Sequence, residues 1–207
     1  MSATPLPSAA AGSEPASGWR AVAPNAITSA RLVMTAGVVV ALSAGSGPET
    51  LVIAAALFVV AAASDAVDGW LARRWNAVSR FGRIADPLTD KLLVLSAFVM
   101  MAGPALSART GVAPWMAAVL LARELLVTTI RAEREAGGID ASALWAGKAK
   151  MVVQSLTVPL VLALAAARPH ADAPALARAA VWTTVAVTVL SAAPYVRAAT
   201  RPARSDR

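Results

Sequence analysis

A chain of 207 residues that is 57% hydrophobic and only 15% charged, with a mean hydropathy of +0.62, does not read as a water-soluble domain, where charged residues reach about 25%. It has no cysteine, which excludes disulfides, thiolate metal sites and thiol nucleophiles. Its formal charge of +7 points, in so apolar a chain, to a basic cytoplasmic face beside anionic lipid rather than to nucleic acid.

Residues 1–23 are rich in Ala, Ser, Pro and Gly and lack the apolar core of a signal peptide, which predicts a disordered cytoplasmic tail. Asn25 is placed to cap a helix starting near Ala26, and a first apolar span covers about 27–43. Thr28 and Arg31 fall in its first turns, where a snorkelling side chain and a polar group facing a site fit equally well. Gly45-Ser46-Gly47-Pro48 is a turn. A second span starts near Leu51 and carries Asp65 and Asp68 at its far end; a basic connection follows over 73–83.

The third span covers about 86–101. Asp86-Pro87 resembles an N-cap with proline at the first helical position, although a start near Phe81 is also open. The fourth covers about 113–130 and continues as Arg-Ala-Glu-Arg-Glu-Ala until Gly137-Gly138 ends it. The fifth runs over 145–167 with Pro159 as a kink, and the sixth over about 175–196, before a basic tail at 198–207. His170, the single histidine, sits in a Pro-containing loop far from the aspartates and reads as an ordinary loop residue.

The expected fold is therefore all-α: a polytopic membrane domain over 24–197, built as a six-transmembrane-helix bundle. The short alternating segments of a membrane β-barrel are absent. Six spans put both ends of the chain on one side. Of the 19 lysines and arginines, only Arg109, Arg168 and Arg178 fall on the other side. Positive charge stays inside, so both termini and the aspartates are expected to be cytoplasmic, in a multi-pass protein of the cell membrane.

Asp65 to Asp90 is where the chemistry concentrates. A spacing of three puts Asp65 and Asp68 on one side of a helix, and a spacing of four does so for Asp86 and Asp90. Packed side by side, the two helices would bring four carboxylates into one small volume. Divalent cations relieve that repulsion, and an all-oxygen ligand set suits Mg²⁺, Mn²⁺ or Ca²⁺. Gly69 and Ala72 make a small patch beside the acids, where a ligand or another helix can approach the backbone, and Gly82 serves similarly across the gap. Arg73 can pair with a phosphate or steady a carboxylate. A salt-bridge network at helix ends would explain two of these aspartates, but not Asp65, Asp68, Gly69, Ala72, Arg73, Gly82, Asp86 and Asp90 together.

Written D-x2-D-G-x2-A-R-x8-G-x3-D-x3-D, the stretch resembles the signature of the CDP-alcohol phosphatidyltransferase family at every fixed position. The runs P-N-A-I-T-S-A-R, D-P-L-T-D-K, A-R-E-L-L-V-T-T-I-R and G-K-A-K-M-V-V-Q resemble its bacterial phosphatidylglycerophosphate synthase branch, and the likeness covers most of 24–154. The resemblance implies a six-span homodimer in membrane lipid. It implies transfer of the phosphatidyl group of CDP-diacylglycerol to sn-glycerol 3-phosphate, with release of CMP and with a divalent cation, Mg²⁺ or Mn²⁺, present as a pair. Asp65, Asp68 and Asp86 would be metal ligands, and Asp90 the general base and a further ligand. Asn25, Thr28, Asp68, Gly69, Ala72, Arg73 and Gly82 would hold the CDP-lipid.

An acceptor carrying its own phosphate needs cations. Arg123, Arg131, Lys148 and Lys150 are the candidates, with Arg31 a further one, and Glu124 is expected to pair with Arg131. Two rivals stand beside this reading. One is the same chemistry on inositol phosphate, serine or, for cardiolipin, phosphatidylglycerol. The other is a cation transporter, against which the acids cluster at one face and the midplane lacks polar residues.

Overall fold

The computed structural model describes the backbone of residues 19–75, 80–137 and 145–199, and the side chains of 29–64, 88–137, 147 and 149–199. Within these residues the protein is all-helical, with no strand. Its helices are α1 (Trp19–Ala44), α2 (Pro48–Trp75), α3 (Arg80–Met101), α4 (Ser107–Thr110), α5 (Pro114–Ala136), α6 (Trp145–Ala167), α7 (Ala175–Leu190) and α8 (Ala193–Ala199). The N-terminal tail up to residue 18 and the C-terminal tail from 200 lie outside the described residues.

Two local expectations are corrected and one open alternative is decided. First, α1 is already under way at Trp19, so Asn25 lies inside the helix and does not cap it. Second, of the two starts open for the third span the structure takes the earlier: α3 begins at Arg80, beside Phe81, and Asp86-Pro87 lies within it. Arg80 to Ala85 contains no residue that forbids a helix, and a proline further in removes only one intrahelical donor. Third, the sixth apolar span is two helices. The amide of Ser191 closes the last turn of α7 on the Val187 carbonyl, and Ala192 folds back tightly on Val189 at 3.0 Å. Pro194 has no N–H to give the Leu190 carbonyl, so the α-helical ladder stops there and restarts as α8.

The other boundaries follow their local signals. α5 opens with Pro114 at its first turn and ends at Gly137. α6 runs through Pro159. The short α4, which no sequence signal announced, ends at Gly111 with φ 72°. A Cβ at Gly111 would lie 3.1 Å from Arg178 Cγ and 3.2 Å from Ala173 Cβ, so both the left-handed backbone and the crowding require glycine there.

α2 packs between α1 and α6, while α1 also covers α3, and α6 covers α7. Val38 and Leu42 of α1, Leu51 and Phe58 of α2, Phe98 of α3, and Val161 and Leu162 of α6 meet in one core. Fully buried alanines, among them Ala54, Ala61 and Ala97, let the helices approach closely.

The outside of the bundle is apolar. Val33 and Leu190 are each 71% exposed, and Leu125, Val152, Leu156 and Trp182 face outward too. Meanwhile Arg31, Arg123, Glu124, Lys150 and Gln154 are buried. A water-soluble fold distributes these classes the other way. Two helical stretches among the described residues, Ala149–Ala167 and Ala175–Ala199, are long and apolar enough to cross a membrane, and Ser29–Ala44 and Pro48–Ser64 are shorter apolar helices.

Candidate active site

Buried Arg123, Glu124, Lys150 and Gln154 line a cavity of about 360 Å³ between α3, α5, α6 and α8, with Ala62 of α2 at its edge. Lys91, Arg123, Arg131 and Lys150 bring positive charge to its wall, and Asp90 and Glu124 bring negative charge. Thr128, Gln154 and Tyr195 add neutral polar groups, while Leu93, Val94, Val127 and Met151 make the rest of the lining apolar. Among the described residues four cations face two carboxylates in a low-dielectric recess, where a small anion is attracted more strongly than in water.

Glu124 is the hub of the charges. Lys150 donates to its Oε2, Arg123 Nη1 donates to the same oxygen at 3.3 Å, and Lys91 Nζ lies 3.5 Å from Oε1. Lys91 also donates to Thr128 Oγ1 at 2.7 Å, and Arg123 Nη2 donates to Ser191 Oγ at 2.8 Å. This corrects the expected Glu124–Arg131 pair. Seven residues along a helix is about 10 Å, too far for this carboxylate when cations on α3 and α6 are beside it. Arg131 pairs instead with Glu135, one turn on, at 3.6 Å.

Asp90 is tied to α1. Arg31, with no exposed surface, donates from Nη1 to Asp90 Oδ1 at 2.8 Å. A guanidinium held this way orients the carboxylate and offsets its charge. Of the residues expected to hold an acceptor phosphate, Arg123, Arg131 and Lys150 share the cavity wall with Asp90, and Arg31 stands behind Asp90.

The remaining expected residues lie outside what the structure describes at the side-chain level. They are Asn25 and Thr28 on α1; Asp65, Asp68, Gly69, Ala72 and Arg73 on α2; Gly82 and Asp86 on α3; and Lys148 on α6. Helical backbone does run through both aspartate pairs, as their spacing requires, and α2 touches α3. Among the described residues, no three acidic or histidine side chains come together as a metal site. The chemistry of the donor set nonetheless fits a hard divalent cation, because the motif offers only carboxylate oxygens.

Sequence reasoning passed over several residues of the cavity. Lys91 had a signal, its place directly after Asp90. Gln154 donates to Thr188 Oγ1 at 3.1 Å, and the Thr157 and Thr184 hydroxyls are 2.8 Å apart. These pairs join α6 to α7 across 34 and 27 residues, and nothing local in the chain announces them.

The sequence pattern of the CDP-alcohol phosphatidyltransferase family matches residues 21–190. The chain belongs to that family. It is 35% identical over 181 residues to a protein of Mycobacterium tuberculosis named probable phosphatidylglycerophosphate synthase, covering 86% of this chain and 81% of the relative. It is 34% identical over 151 residues to the CDP-diacylglycerol–glycerol-3-phosphate 3-phosphatidyltransferase of Bacillus subtilis, covering 67% and 75%. The enzyme of the same name from Escherichia coli K12 is 38% identical over 114 residues, covering 53% and 59%. The matched segment contains every position of the aspartate signature and every charged residue of the cavity.

Proposed function

We propose that this protein transfers the phosphatidyl group of CDP-diacylglycerol to sn-glycerol 3-phosphate, giving phosphatidylglycerophosphate and CMP. The observation that carries the acceptor is the cavity, where Asp90 shares one wall with Lys91, Arg123, Arg131 and Lys150. A small dianion that also bears a hydroxyl fits that combination. The cations take the phosphate, and the carboxylate takes the hydroxyl proton. The acceptor oxygen bonds to the phosphorus that carries diacylglycerol, the bond from that phosphorus to the CMP oxygen breaks, and the proton passes to Asp90.

Arg31 serves Asp90 rather than the acceptor, because its guanidinium already holds that carboxylate. Lys148 joins the acceptor cations from the first turn of α6. Asn25, Thr28, Asp68, Gly69, Ala72, Arg73 and Gly82 form the cytidine and pyrophosphate pocket. Asp65, Asp68, Asp86 and Asp90 would hold Mg²⁺ or Mn²⁺. A bound pair of such cations supplies neutralisation of the pyrophosphate charge.

The enzyme works as a six-span homodimer in the cell membrane, with residues 1–23 and 198–207 as cytoplasmic tails of a 24–197 domain and with the site facing the cytoplasm. The outward apolar belt and the uneven distribution of Lys and Arg support this reading. The test is product identification. Purified protein in vesicles containing CDP-diacylglycerol is given Mg²⁺ or Mn²⁺ and glycerol 3-phosphate, inositol phosphate, serine or phosphatidylglycerol. Phosphatidylglycerophosphate from the first acceptor, lost in excess EDTA, is expected. An inositol lipid or cardiolipin in its place would overturn the acceptor, and ion flux without lipid turnover would overturn the reaction class.

A further inference from the structure

Arg123 is an unusual wall for an anion site, because most of its fork is already engaged. It is 7% exposed. Nη1 donates to Glu124 at 3.3 Å, and Nη2 donates to Ser191 Oγ at 2.8 Å and to the Ser191 carbonyl at 3.4 Å. Its Nε has no hydrogen-bond partner among the described residues. A buried guanidinium donor left over beside a cavity is costly unless a ligand completes it.

Ser191 is built to receive Arg123. Its hydroxyl donates to the Thr188 carbonyl at 2.7 Å, so the lone pairs of Oγ are left for the guanidinium. Its carbonyl is available because α7 ends at Leu190 and the last carbonyls of a helix have no intrahelical donor. The end of a helix also favours a cation. The joint that creates this acceptor is the Pro194 break. The family match stops at residue 190, so Ser191 lies just past the matched segment.

We propose that Ser191, at the α7–α8 joint, is a positioning residue that holds Arg123 open toward the acceptor's phosphate. The proposal deepens the acceptor reading above and rests on it. The guanidinium is pulled two ways, by Glu124 on α5 and by Ser191 on α7. With both held, Nε–H and the second Nη1–H are the donors that remain for an anion. Without the Ser191 hydroxyl, only the long 3.4 Å contact to the Ser191 carbonyl opposes Glu124. Arg123 then turns to a fuller internal ion pair with its neighbour and withdraws from the cavity. Only the acceptor loses by this, because the donor's pocket lies on α1, α2 and the start of α3.

The experiment is a set of variants assayed in vesicles with both substrates varied. Ser191→Ala is expected to raise the KM for glycerol 3-phosphate about tenfold, the size of one hydrogen bond to a charged group. The KM for CDP-diacylglycerol should change less than twofold. Ser191→Thr, which keeps the hydroxyl, should return the acceptor KM to within threefold of wild type. In an Arg123→Lys background, Ser191→Ala should add little, because residues acting through one another are not additive. The rise in melting temperature that glycerol 3-phosphate produces should shrink in Ser191→Ala, a readout independent of turnover. If Ser191→Ala does not fold, Ser191→Cys, of similar size but a weak acceptor, carries the same expectation. Equal changes in both KM values, failure of Ser191→Thr to restore, or full additivity with Arg123→Lys would overturn the positioning role. A wild type that ignores glycerol 3-phosphate would overturn the underlying acceptor reading instead.

Discussion

Two buried or half-buried arginines at opposite ends of the bundle show how the same side chain can be a clamp or a recruiting group. Arg109, on α4, donates to the Ser46 carbonyl and to the Ala165 carbonyl. It joins the α1–α2 turn to the last turn of α6, in a corner where Thr110 Oγ1 also donates to the Met101 carbonyl at 3.0 Å and the Ala173 amide to the Ala108 carbonyl at 2.9 Å. Arg123 meets a carboxylate and a hydroxyl instead, beside a cavity shared with Asp90. Both leave Nε without a partner among the described residues. An unsatisfied Nε is therefore no sign of a ligand by itself; the cavity and the neighbouring charges make the difference. Carbonyls that have lost their helical donors are satisfied by a guanidinium and ask nothing further. A cluster of cations around one carboxylate keeps an excess of positive charge that a dianion can share.

The sharpest way to test this contrast is at the reacting end. Asp90→Asn keeps the shape but cannot take a proton, and kcat should fall about a thousandfold. The protein should still purify as a folded species, because an amide oxygen can still accept from Arg31. Turnover near wild type would mean the cavity is not where chemistry happens. Next in size is Arg123→Ala. The KM for glycerol 3-phosphate should rise about thirtyfold to a hundredfold, with CDP-diacylglycerol changed less than threefold, as expected when one substrate alone loses a charged partner. A loss shared equally by both substrates would make Arg123 a clamp like Arg109.

At the other end the signature should reverse. Arg109→Met removes the tie between the α1–α2 turn and α6, so the melting temperature should drop by about 5 °C, from roughly 2 kcal/mol of lost charged hydrogen bonding. Both KM values and kcat of the folded protein should stay within twofold. A selective rise in acceptor KM would erase the distinction drawn here. The smallest effect is expected outside both regions. Deleting residues 2–18, which carry no aspartate of the signature and no cation of the cavity, should leave activity and melting temperature unchanged within error. Loss of activity would show that the tail takes part.

The helices were legible where local signals were strong. α6 was expected at 145–167 and runs over those residues, and α5 stops at the expected Gly137. Errors came where a local cue competed with its surroundings. Asn25 looks like a helix start, but α1 begins upstream of it; for α3, with two starts open in the sequence, the one near Phe81 is taken. The α7–α8 break was missed because the apolar run continues without interruption and only Pro194 marks it. The tight turn around Gly111 depends on the approach of Arg178 and Ala173, which no neighbouring residue encodes.

Taken alone, the sequence determined the family, the helical spacing of the acid pairs and the candidate cations, because these depend on residue identity and on short fixed intervals along one helix. The tertiary structure decided which charges meet. Glu124 turns to Lys150, Arg123 and Lys91 rather than to Arg131, Arg31 is taken up by Asp90, and Ser191 reaches Arg123 from 68 residues away. A buried charge takes the partner that packing brings within about 3 Å, and that choice is made only once separate helices have come together.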